Sequence, residues 1–378
     1  MIRRGRILHE RTLIAGVSFL MALAGTTAAR AQVTPGFYTP DDNLEGILYF
    51  TATGTVSTEL TEVDITGVTG ESDVDFEDNG IVFGGGSIFF TEYESDSILK
   101  YDGTTLSLLT SESALETVQS VSDSDPFGLA FSGGSLFVMD AETNNVLKID
   151  PGTGTPTVHT TKADFEALTG IGSFDNETTI VGAGGGSIFV GSDASPNAIF
   201  DVAPDGTPSV FSTSPLFGDI DQWMTIAPNG DVIVYDDLGS GLEILRVASD
   251  GTASVFLSIA DLETVGGAGN IDIEGMAFDT DGNFYILNEG EDDPDGILKW
   301  LVDDLSLGTI DVSSGFLLFD EGILPGDPHD FESGLAFTAE FQSPQPPTGG
   351  QAAAPEPSAL ALAGLGLLSL GMTRRRRR

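Results

Sequence analysis

The sequence predicts an all-β fold, and within that class a six-bladed β-propeller, from two observations. A short apolar strand recurs six times, and from the second copy on it is flanked by Gly- or Asn-containing turns and by further apolar strands. The strands can be followed by the residue at their centre, which is Tyr49, Phe89, Phe137, Phe189, Ile233 and Tyr285. These anchors lie 40 to 52 residues apart, near the period of propeller blades. The 48 glycines among 378 residues suit the many tight turns of such a fold.

The clearest copy of the repeated unit is residues 125–150, DPFGLAFSGGSLFVMDAETNNVLKID. It contains a first strand, FGLAF, a hairpin turn, SGGS, a second strand, SLFVMD, and a third strand, NVLKID. Gly tolerates the positive φ that tight hairpins demand. In four units a fourth strand follows after a Gly, and four strands in meander order form a propeller blade. Small residues in the first strands, namely Gly128, Ala130, Gly275 and Ala277, suit the crowded position nearest the axis.

The two ends of residues 44–341, the predicted propeller, complete each other. The first unit, at Gly46, lacks a strand before it, and the last apolar strand, SGLAF at residues 333–337, lacks one after it. We therefore expect the C-terminal strand to complete the N-terminal blade, which closes the ring without open sheet edges. This gives six blades. Seven would result if GFLLF, residues 315–319, began a further blade instead of serving as an outer strand.

The N-terminal residues 1–31 have the organisation of a secretory signal peptide. A basic segment, MIRRGRILHER, precedes an apolar run, and Ala29 and Ala31 fit the small-x-small cleavage pattern. The alternative is a membrane anchor, but a run of about 14 residues is shorter than the ~20 that span a bilayer. Residues 32–43 are predicted to be a polar lead-in, and residues 342–354, rich in Pro, Gln, Gly and Ala, a linker.

The charge of the chain is strongly negative, with 58 acidic residues against 15 Lys and Arg and a formal net charge of −43. All but five of the basic residues lie in the first 30 and last five positions. So acidic a body repels phosphate, which argues against nucleic-acid binding. It suits either solubility in a salty medium or the capture of cations or basic partners. The chain has no Cys, which excludes disulfides and thiol chemistry.

The C-terminal residues 355–378 have three parts in order. Pro355, Glu356 and Pro357 precede an apolar run at residues 359–372, and the chain ends in Arg374, Arg375, Arg376, Arg377 and Arg378. This stretch resembles the PEP-CTERM sorting signal of exported bacterial proteins; the alternative is a generic tail anchor. The resemblance implies recognition by an exosortase, cleavage near the Pro-Glu-Pro motif, and delivery to the surface or extracellular matrix of a Gram-negative, exopolysaccharide-producing bacterium. We expect the apolar run to form a short helix that anchors the precursor transiently in the inner membrane, with the Arg cluster inside.

Acidic residues recur just before the first strand of most units, where a propeller has one mouth of its central channel. They include Glu77, Asp125, Asp221, Glu274 and Glu332. Converging carboxylates could bind Ca²⁺, which takes several oxygen ligands, so these residues are the candidate metal site. The alternative is that they cap strands or face solvent. The body also resembles six-bladed propellers of the NHL and gluconolactonase-like kind, through GLAF…GGSLFV…NVLKID and DTDGNFY. That resemblance implies a divalent ion at the mouth, with Glu274 in the place of the family's metal-binding Glu.

Catalytic residues are sparse. After signal removal only two histidines remain, His159 in an outer strand and His329 beside Asp330 and Glu332, which makes His329 a weak candidate base. The third strands carry a cation at one repeated place, Lys100, Lys148, Arg246 and Lys299. We expect each to pair with an acid on a neighbouring blade or turn.

Two functions remain open on the sequence. The first is an exported surface or matrix propeller that binds or scaffolds, with matrix polysaccharide, a surface protein or cations as partners. The second is a metal-dependent hydrolase of the lactonase or esterase type, in which a calcium-type ion at the channel mouth polarises a carbonyl group.

Overall fold

The structure is a computed structural model that describes residues 33–76, 80–168, 170–174, 180–192, 196–218, 220, 223–237, 242–267, 271–289, 296–304, 309–320 and 334–338. The predicted signal peptide, linker, apolar helix and sorting signal lie outside these residues. The same holds for Ala29, Ala31, Pro355, Glu356, Pro357 and the Arg cluster.

The described residues form six four-stranded antiparallel sheets, so the predicted six-bladed all-β propeller is confirmed. Blade 1 contains β1 (Phe37–Asp41), β2 (Gly46–Phe50) and β3 (Val56–Leu60). Blade 2 contains β4 (Ile81–Gly84), β5 (Ser87–Glu92), β6 (Ser97–Tyr101) and β7 (Leu106–Thr110). Blade 3 contains β8 (Pro126–Ser132), β9 (Ser135–Asp140), β10 (Asn145–Ile149) and β11 (Pro156–Thr160).

Blades 4 to 6 follow the same order. Blade 4 contains β12 (Ile180–Gly184), β13 (Ser187–Ser192), β14 (Ala198–Val202) and β15 (Pro208–Ser212). Blade 5 contains β16 (Met224–Ile226), β17 (Val232–Asp237), β18 (Leu242–Val247) and β19 (Ala253–Ser258). Blade 6 contains β20 (Ile273–Phe278), β21 (Phe284–Asn288), β22 (Gly296–Trp300) and, after a small hairpin of β23 (Val302–Asp304) and β24 (Thr309–Ile310), the outer strand β25 (Phe316–Asp320).

The last strand, β26 (Ala336–Phe337), closes the ring as the innermost strand of blade 1. It pairs with β1 through Phe37 opposite Phe337 and Tyr38 opposite Ala336. The Thr338 hydroxyl extends this contact, because it accepts a hydrogen bond from the Gly36 N–H at 2.8 Å and donates to the Thr34 carbonyl at 2.9 Å. The predicted pairing of the chain ends is therefore confirmed, and β25 serves as an outer strand, which excludes the seven-blade alternative.

The start of the propeller differs from the prediction. Residues 32–43 contain strand β1, and the first anchor strand, GILYF, is the third strand of its blade and not the second. Tyr49 therefore matches Lys100 and Lys148 in position, and Tyr38 is the true counterpart of Phe89. The strand was not predicted because it contains Pro40, and Pro is rare in central strands. Pro40 is tolerated here because the pairing of β1 with β26 ends at Tyr38, before Pro40 is reached.

Short helices that the sequence analysis did not predict follow four outer strands. They are α1 (Glu62–Thr69), α2 (Glu112–Gln119), α3 (Lys162–Glu166) and α4 (Ile259–Gly266), with a 3₁₀ turn at Val312–Ser314. Three of the helices begin with a capping box, in which Thr61, Thr161 or Ser258 exchanges hydrogen bonds with an Asp three residues later. Each helix buries at least one apolar residue, which fixes it to the blades.

The hydrophobic core is divided among the interfaces between blades. Among the described residues, one cluster of buried apolar side chains lies at each of the six interfaces. At the outer rim, Thr110, Thr160 and Ser212 donate hydrogen bonds to the carbonyls of Gly154, Gly206 and Gly251 in the next blade. The blades are thus joined at the core and at the rim, which gives the channel rigid walls.

Candidate functional site

The channel at the centre of the ring is lined by one large aliphatic side chain from each blade. Their shared register follows from the pairing of each innermost strand with its neighbour. We call these six residues the aliphatic ring: Ile81, Leu129, Ile180, Met224, Met276 and Leu335. All six are buried, although the channel passes between them.

A second level of the channel lies two residues further along each innermost strand. It is mainly aromatic and consists of Phe83, Phe131, Gly182, Ile226, Phe278 and Phe337. Four of its five side chains are only partly buried, in contrast to the aliphatic ring. The channel is therefore more open at this level, which lies towards the hairpins between first and second strands.

Together these levels line a chamber of about 750 Å³. Its mouth is framed by the Gly-rich hairpins of blades 2 to 4, including Gly84, Gly134 and Gly185. Beyond the aliphatic ring lies a second cavity of only about 60 Å³, which Gly80, Gly128, Trp223 and Gly334 border. The aliphatic ring lines both spaces and so marks the boundary between them. The described residues that line this chamber include no charged side chain; Ser132 and Thr225 supply its polar side-chain atoms.

The two described residues of the predicted acidic rim, Asp125 and Glu274, lie towards the opposite mouth, where the innermost strands begin. Asp125 and Glu274 precede or start β8 and β20, in blades 3 and 6, which lie on opposite sides of the axis. The Glu274 carbonyl accepts a hydrogen bond from the Gly334 N–H at 2.7 Å. Glu77, Asp221, Glu332 and His329 lie outside the described residues. The calcium site and the hydrolase alternative therefore remain predictions.

Asp125 lies instead near a group of carboxylates between blades 2 and 3. Asp96, Glu112 and Asp123 each place one carboxylate oxygen within 4.8 Å of the others. Burial, followed by the charges of Asp125, Glu112, Asp123 and Glu92, raises the pKa of Asp96 to about 7. The pKa of Asp96 is therefore far above the ordinary value of an Asp side chain.

The same arrangement recurs between blades 1 and 2, where Glu45, Glu62 and Asp73 also lie within 4.8 Å of one another. Burial is the main cause that raises the pKa of Glu45, as it does for Glu112. Each group combines a turn residue at positive φ with the first residue of a helix and an Asp after that helix. In blade 3 the corresponding residues are Asn144 and Lys162, so the repeat of acids stops there. The sequence analysis missed both groups because their members lie far apart in the chain.

Another set of acidic residues is structural. A fully buried polar residue lies at or next to the end of the second strand in every blade: Asp41, Glu92, Asp140, Ser192, Asp236 and Asn288. Asp41 accepts from the Leu44 N–H at 2.8 Å and Asp140 from the Thr143 N–H at 2.9 Å, which fixes the turn to the third strand. Asp41 and Asp140 thus cap turns within their blades, and they are not among the acids of the predicted metal site.

The repeated cations of the third strands have surroundings other than those predicted. Lys100, Lys148 and Lys299 place Nζ 5.7, 5.5 and 4.7 Å from the ring centroids of the second-strand residues opposite them. The Lys100 ammonium also donates to the Pro151 carbonyl of blade 3 at 2.7 Å. Arg246 alone forms an ion pair among the described residues, with Asp231. The predicted acidic partner is confirmed for Arg246; the three lysines form no ion pair with the described residues, and their aromatic neighbours come from the repeat itself.

His159 lies in the outer strand β11, as the sequence indicates. Its ring packs edge-on against Phe137 at 5.0 Å, and burial together with the Lys148 charge lowers its pKa. This environment is that of a structural side chain at a blade interface.

Residues 353–378 match the PEP-CTERM protein-sorting motif, which indicates export, processing by an exosortase and cell-surface sorting in Gram-negative bacteria. No curated protein is significantly similar in sequence. Among the described residues, no helix is long and apolar enough to cross a membrane.

The body is similar to solved propellers. A chain in the crystal structure of a nidogen/laminin complex has a TM-score of 0.51 at 12% identity, over 80% of this chain and 99% of that one. Virginiamycin B lyase from Staphylococcus aureus gives 0.48 at 13% identity over 75% and 85%. Regucalcin, a calcium-binding protein from Agrobacterium tumefaciens, gives 0.43 at 14% over 72% and 81%. The expected resemblance is confirmed at the level of the fold, and at these identities it concerns the fold alone.

Proposed function

We propose that the mature protein is a binding propeller of the cell surface or extracellular matrix, and that it holds its ligand in the central chamber. The observation that supports this function is the chamber itself, a concave space of about 750 Å³. Ligand sites of proteins are concave, mainly apolar and of about 300–1,000 Å³.

The chemistry of the chamber favours binding over hydrolysis. Its described lining side chains offer van der Waals contact, and two hydroxyl groups, those of Ser132 and Thr225, offer hydrogen bonds. The innermost strands add backbone N–H and C=O groups on the edge that faces the axis. These groups can hold and orient a molecule, and none of them is a general acid or base at neutral pH.

The sorting signal is compatible with a stable mature propeller. The closing strand β26 and Thr338, whose hydroxyl accepts a hydrogen bond from the Gly36 N–H, both lie before residue 339. The sorting motif begins only at residue 353. Cleavage near the Pro-Glu-Pro motif therefore leaves every described strand in place. Matrix polysaccharide and surface-protein partners stay predictions that follow from the destination of the protein.

The test is a comparison of melting temperatures of processed protein, residues 32–354, with and without an extract of the producer's matrix. A ligand that binds only the folded state raises the melting temperature. We expect such a rise for the wild type and for Val255→Asp, whose side chain is 48% exposed on the outer strand of blade 5. We expect no rise for Ile226→Asp, which places a charge in the chamber of the same blade. An equal rise in all three proteins would exclude the chamber as the site.

A further inference from the structure

Trp223 interrupts a repeated position of the innermost strands. In four of the other five blades, the residue directly before the aliphatic ring is a glycine: Gly80, Gly128, Gly275 and Gly334. The close approach of the next blade accounts for these glycines, because a Cβ at Gly80 or Gly275 would lie 2.6 Å from a backbone nitrogen of that blade. The Trp of blade 5 departs from the packing that the repeat favours, which points to another role for this side chain.

The Trp223 side chain borders the small cavity of about 60 Å³, to which all six blades contribute residues. Its six-membered ring lies against Gly334 of blade 1, two blades further round, since a Cβ there would be 3.4 Å from Trp223 Cζ3. The Trp223 carbonyl accepts a hydrogen bond from the Tyr235 N–H at 3.0 Å, and the indole packs against the core between blades 5 and 6. Both contacts hold the indole in place at the axial cavity.

The indole N–H of Trp223 is buried and has no hydrogen-bond acceptor among the described residues. The indole N–H of the second tryptophan, Trp300, is in the same condition. The two side chains differ in the space beside them. Trp300 is fully buried, and its nitrogen lies so close to Gly315 that a Cβ there would overlap it. A buried donor without a partner destabilises the folded state, and at Trp223 the adjoining cavity leaves room for a partner that the protein itself does not supply.

We infer that Trp223 is a ligand-binding residue, and that its indole N–H donates a hydrogen bond to an uncharged oxygen acceptor at the inner end of the ligand. The inference rests on the proposed function, because the chamber and the small cavity share the aliphatic ring, past which the end of a chamber ligand reaches the indole. The indole nitrogen only donates, so the group that meets it is an acceptor. The cavity of about 60 Å³ admits a group of roughly two water molecules in size, such as a carbonyl or hydroxymethyl group.

The electrostatics of the channel favour an uncharged acceptor. The described residues that border the chamber and the small cavity include no charged side chain, so a charged group there would lose its water without gaining a counter-charge. The formal net charge of −43 also repels anions from the protein as a whole. The chamber offers backbone groups and two hydroxyl groups beside its apolar side chains. The class of ligand is thus a neutral, oxygen-bearing molecule, and carboxylates and phosphates are disfavoured.

The first experiment follows the two indole N–H signals of the isotope-labelled processed protein by NMR, with Trp223→Phe and Trp300→Phe to assign them. Acetamide is the probe, and acetate, which has nearly the same shape but a negative charge, is its control. We expect acetamide to move the Trp223 signal downfield and to saturate below about 200 mM, while acetate needs at least about tenfold more. The Trp300 signal should stay in place. Equal responses to the two probes, or no saturable shift of the Trp223 signal, would overturn the inference.

A second experiment separates this inference from the proposed function. Trp223→Phe keeps an aromatic ring at the cavity but lacks the N–H, and Trp300→Phe is the matched control. In the melting assay with matrix extract, we expect half of the stabilisation to require about tenfold more extract for Trp223→Phe and an unchanged amount for Trp300→Phe.

The outcomes of the two experiments are distinguishable. If the extract stabilises both Trp variants like the wild type but does not stabilise Ile226→Asp, the proposed function holds and the role of Trp223 is wrong. If the extract does not stabilise the wild type, the proposed function is wrong, and the acetamide titration still confirms or overturns the Trp223 donor site.

Discussion

At the scale of the residue, Asp96 shows how burial and neighbouring charges change the protonation of a carboxyl group and thereby the stability of the protein. Its pKa of about 7 arises first from burial and then from the carboxylates around it. The folded state therefore holds this proton more tightly than the unfolded chain, whose Asp titrates near 3.8. It follows that stability rises as the pH falls through about 7 and levels off near 4. Asp96→Asn should stabilise the protein at pH 8 by roughly 1–2 kcal/mol, after allowance for solvent screening, and should flatten the pH dependence.

Chemical denaturation between pH 8 and pH 5 measures this effect. Asn is well suited to the site, because Asp96 has a φ of 44° and the corresponding residue of blade 3 is Asn144 with a φ of 54°. The matched control is Asp102→Asn in the same blade. A hydrogen bond from Thr104 lowers the pKa of Asp102, so its carboxylate stabilises the fold at neutral pH and loses this effect below about 3.8. If both variants changed stability in the same direction at pH 8, the account of Asp96 would be wrong.

Gly154 illustrates the close approach of one blade to the next. A Cβ at this position would lie 1.8 Å from the Leu109 carbonyl oxygen, and its φ of +68° disfavours other residues. We expect Gly154→Ala to lower the free energy of unfolding by about 2–4 kcal/mol, because the clash involves backbone that cannot rotate away. Gly134→Ala is the control, since its φ is +79° but no atom lies within 4 Å of the added Cβ. It should cost only about 1 kcal/mol. If urea denaturation gave similar losses in the free energy of unfolding for both variants, the positive φ and not the contact between blades would account for the loss.

At the scale of the element, the closing strand β26 is short, so its flanking contacts matter. Only two of its residues pair with β1, and the buried Thr338 hydroxyl supplies the partner of the Gly36 N–H. Thr338→Ala should destabilise the protein by about 1–3 kcal/mol, because it leaves that N–H buried without a partner. Thr338→Ser retains the hydroxyl and should stay within about 1 kcal/mol of the wild type. Thermal denaturation of the two variants tests this expectation. Equal stability of Thr338→Ala and Thr338→Ser would mean that water replaces the hydroxyl as the partner of the Gly36 N–H.

The elements that the sequence revealed and those that it concealed differ for physical reasons. Strands of blades 2 to 6 were predictable because Gly-rich turns separate short apolar runs, and closure was predictable because each end lacked one strand. Strand β1 was not, since Pro40 interrupts a pattern that otherwise reads as central. The helices were missed although Thr61 and Asp64, and Thr161 and Asp164, have the spacing of a capping box directly after an outer strand.

The candidate site was less accessible to sequence reasoning than the fold. The aliphatic ring depends on the register of six separate strand pairs, which brings Ile81, Met224 and Leu335 to one level although they lie far apart in the chain. The sequence instead pointed to the acidic rim, because acidic residues at a repeated position before the first strands are easy to see along the chain. The prediction that small residues suit the crowded innermost strands is supported at Gly275. A Cβ at this position would lie 2.6 Å from the Leu335 backbone nitrogen.

At the scale of the whole molecule, net charge is the property that the fold must tolerate. The formal charge is −43, and among the described residues a single ion pair forms, between Arg246 and Asp231. Exosortase processing near the Pro-Glu-Pro motif would also remove the five C-terminal Arg residues, which makes the mature body still more acidic. Self-repulsion of this kind destabilises a compact state and is screened by salt.

We therefore expect the melting temperature of the processed protein to rise by several degrees between about 10 mM and about 500 mM NaCl. The screening length is ~30 Å at the lower concentration, comparable to a domain, and only a few ångströms at the upper one, so repulsion between different blades is removed. Sucrose of equal osmolality is the control, because it acts by exclusion from the surface and not by screening. The uncleaved precursor should respond less, since its Arg cluster offsets part of the charge. A melting temperature independent of salt would mean that bound counterions already neutralise the surface at low ionic strength.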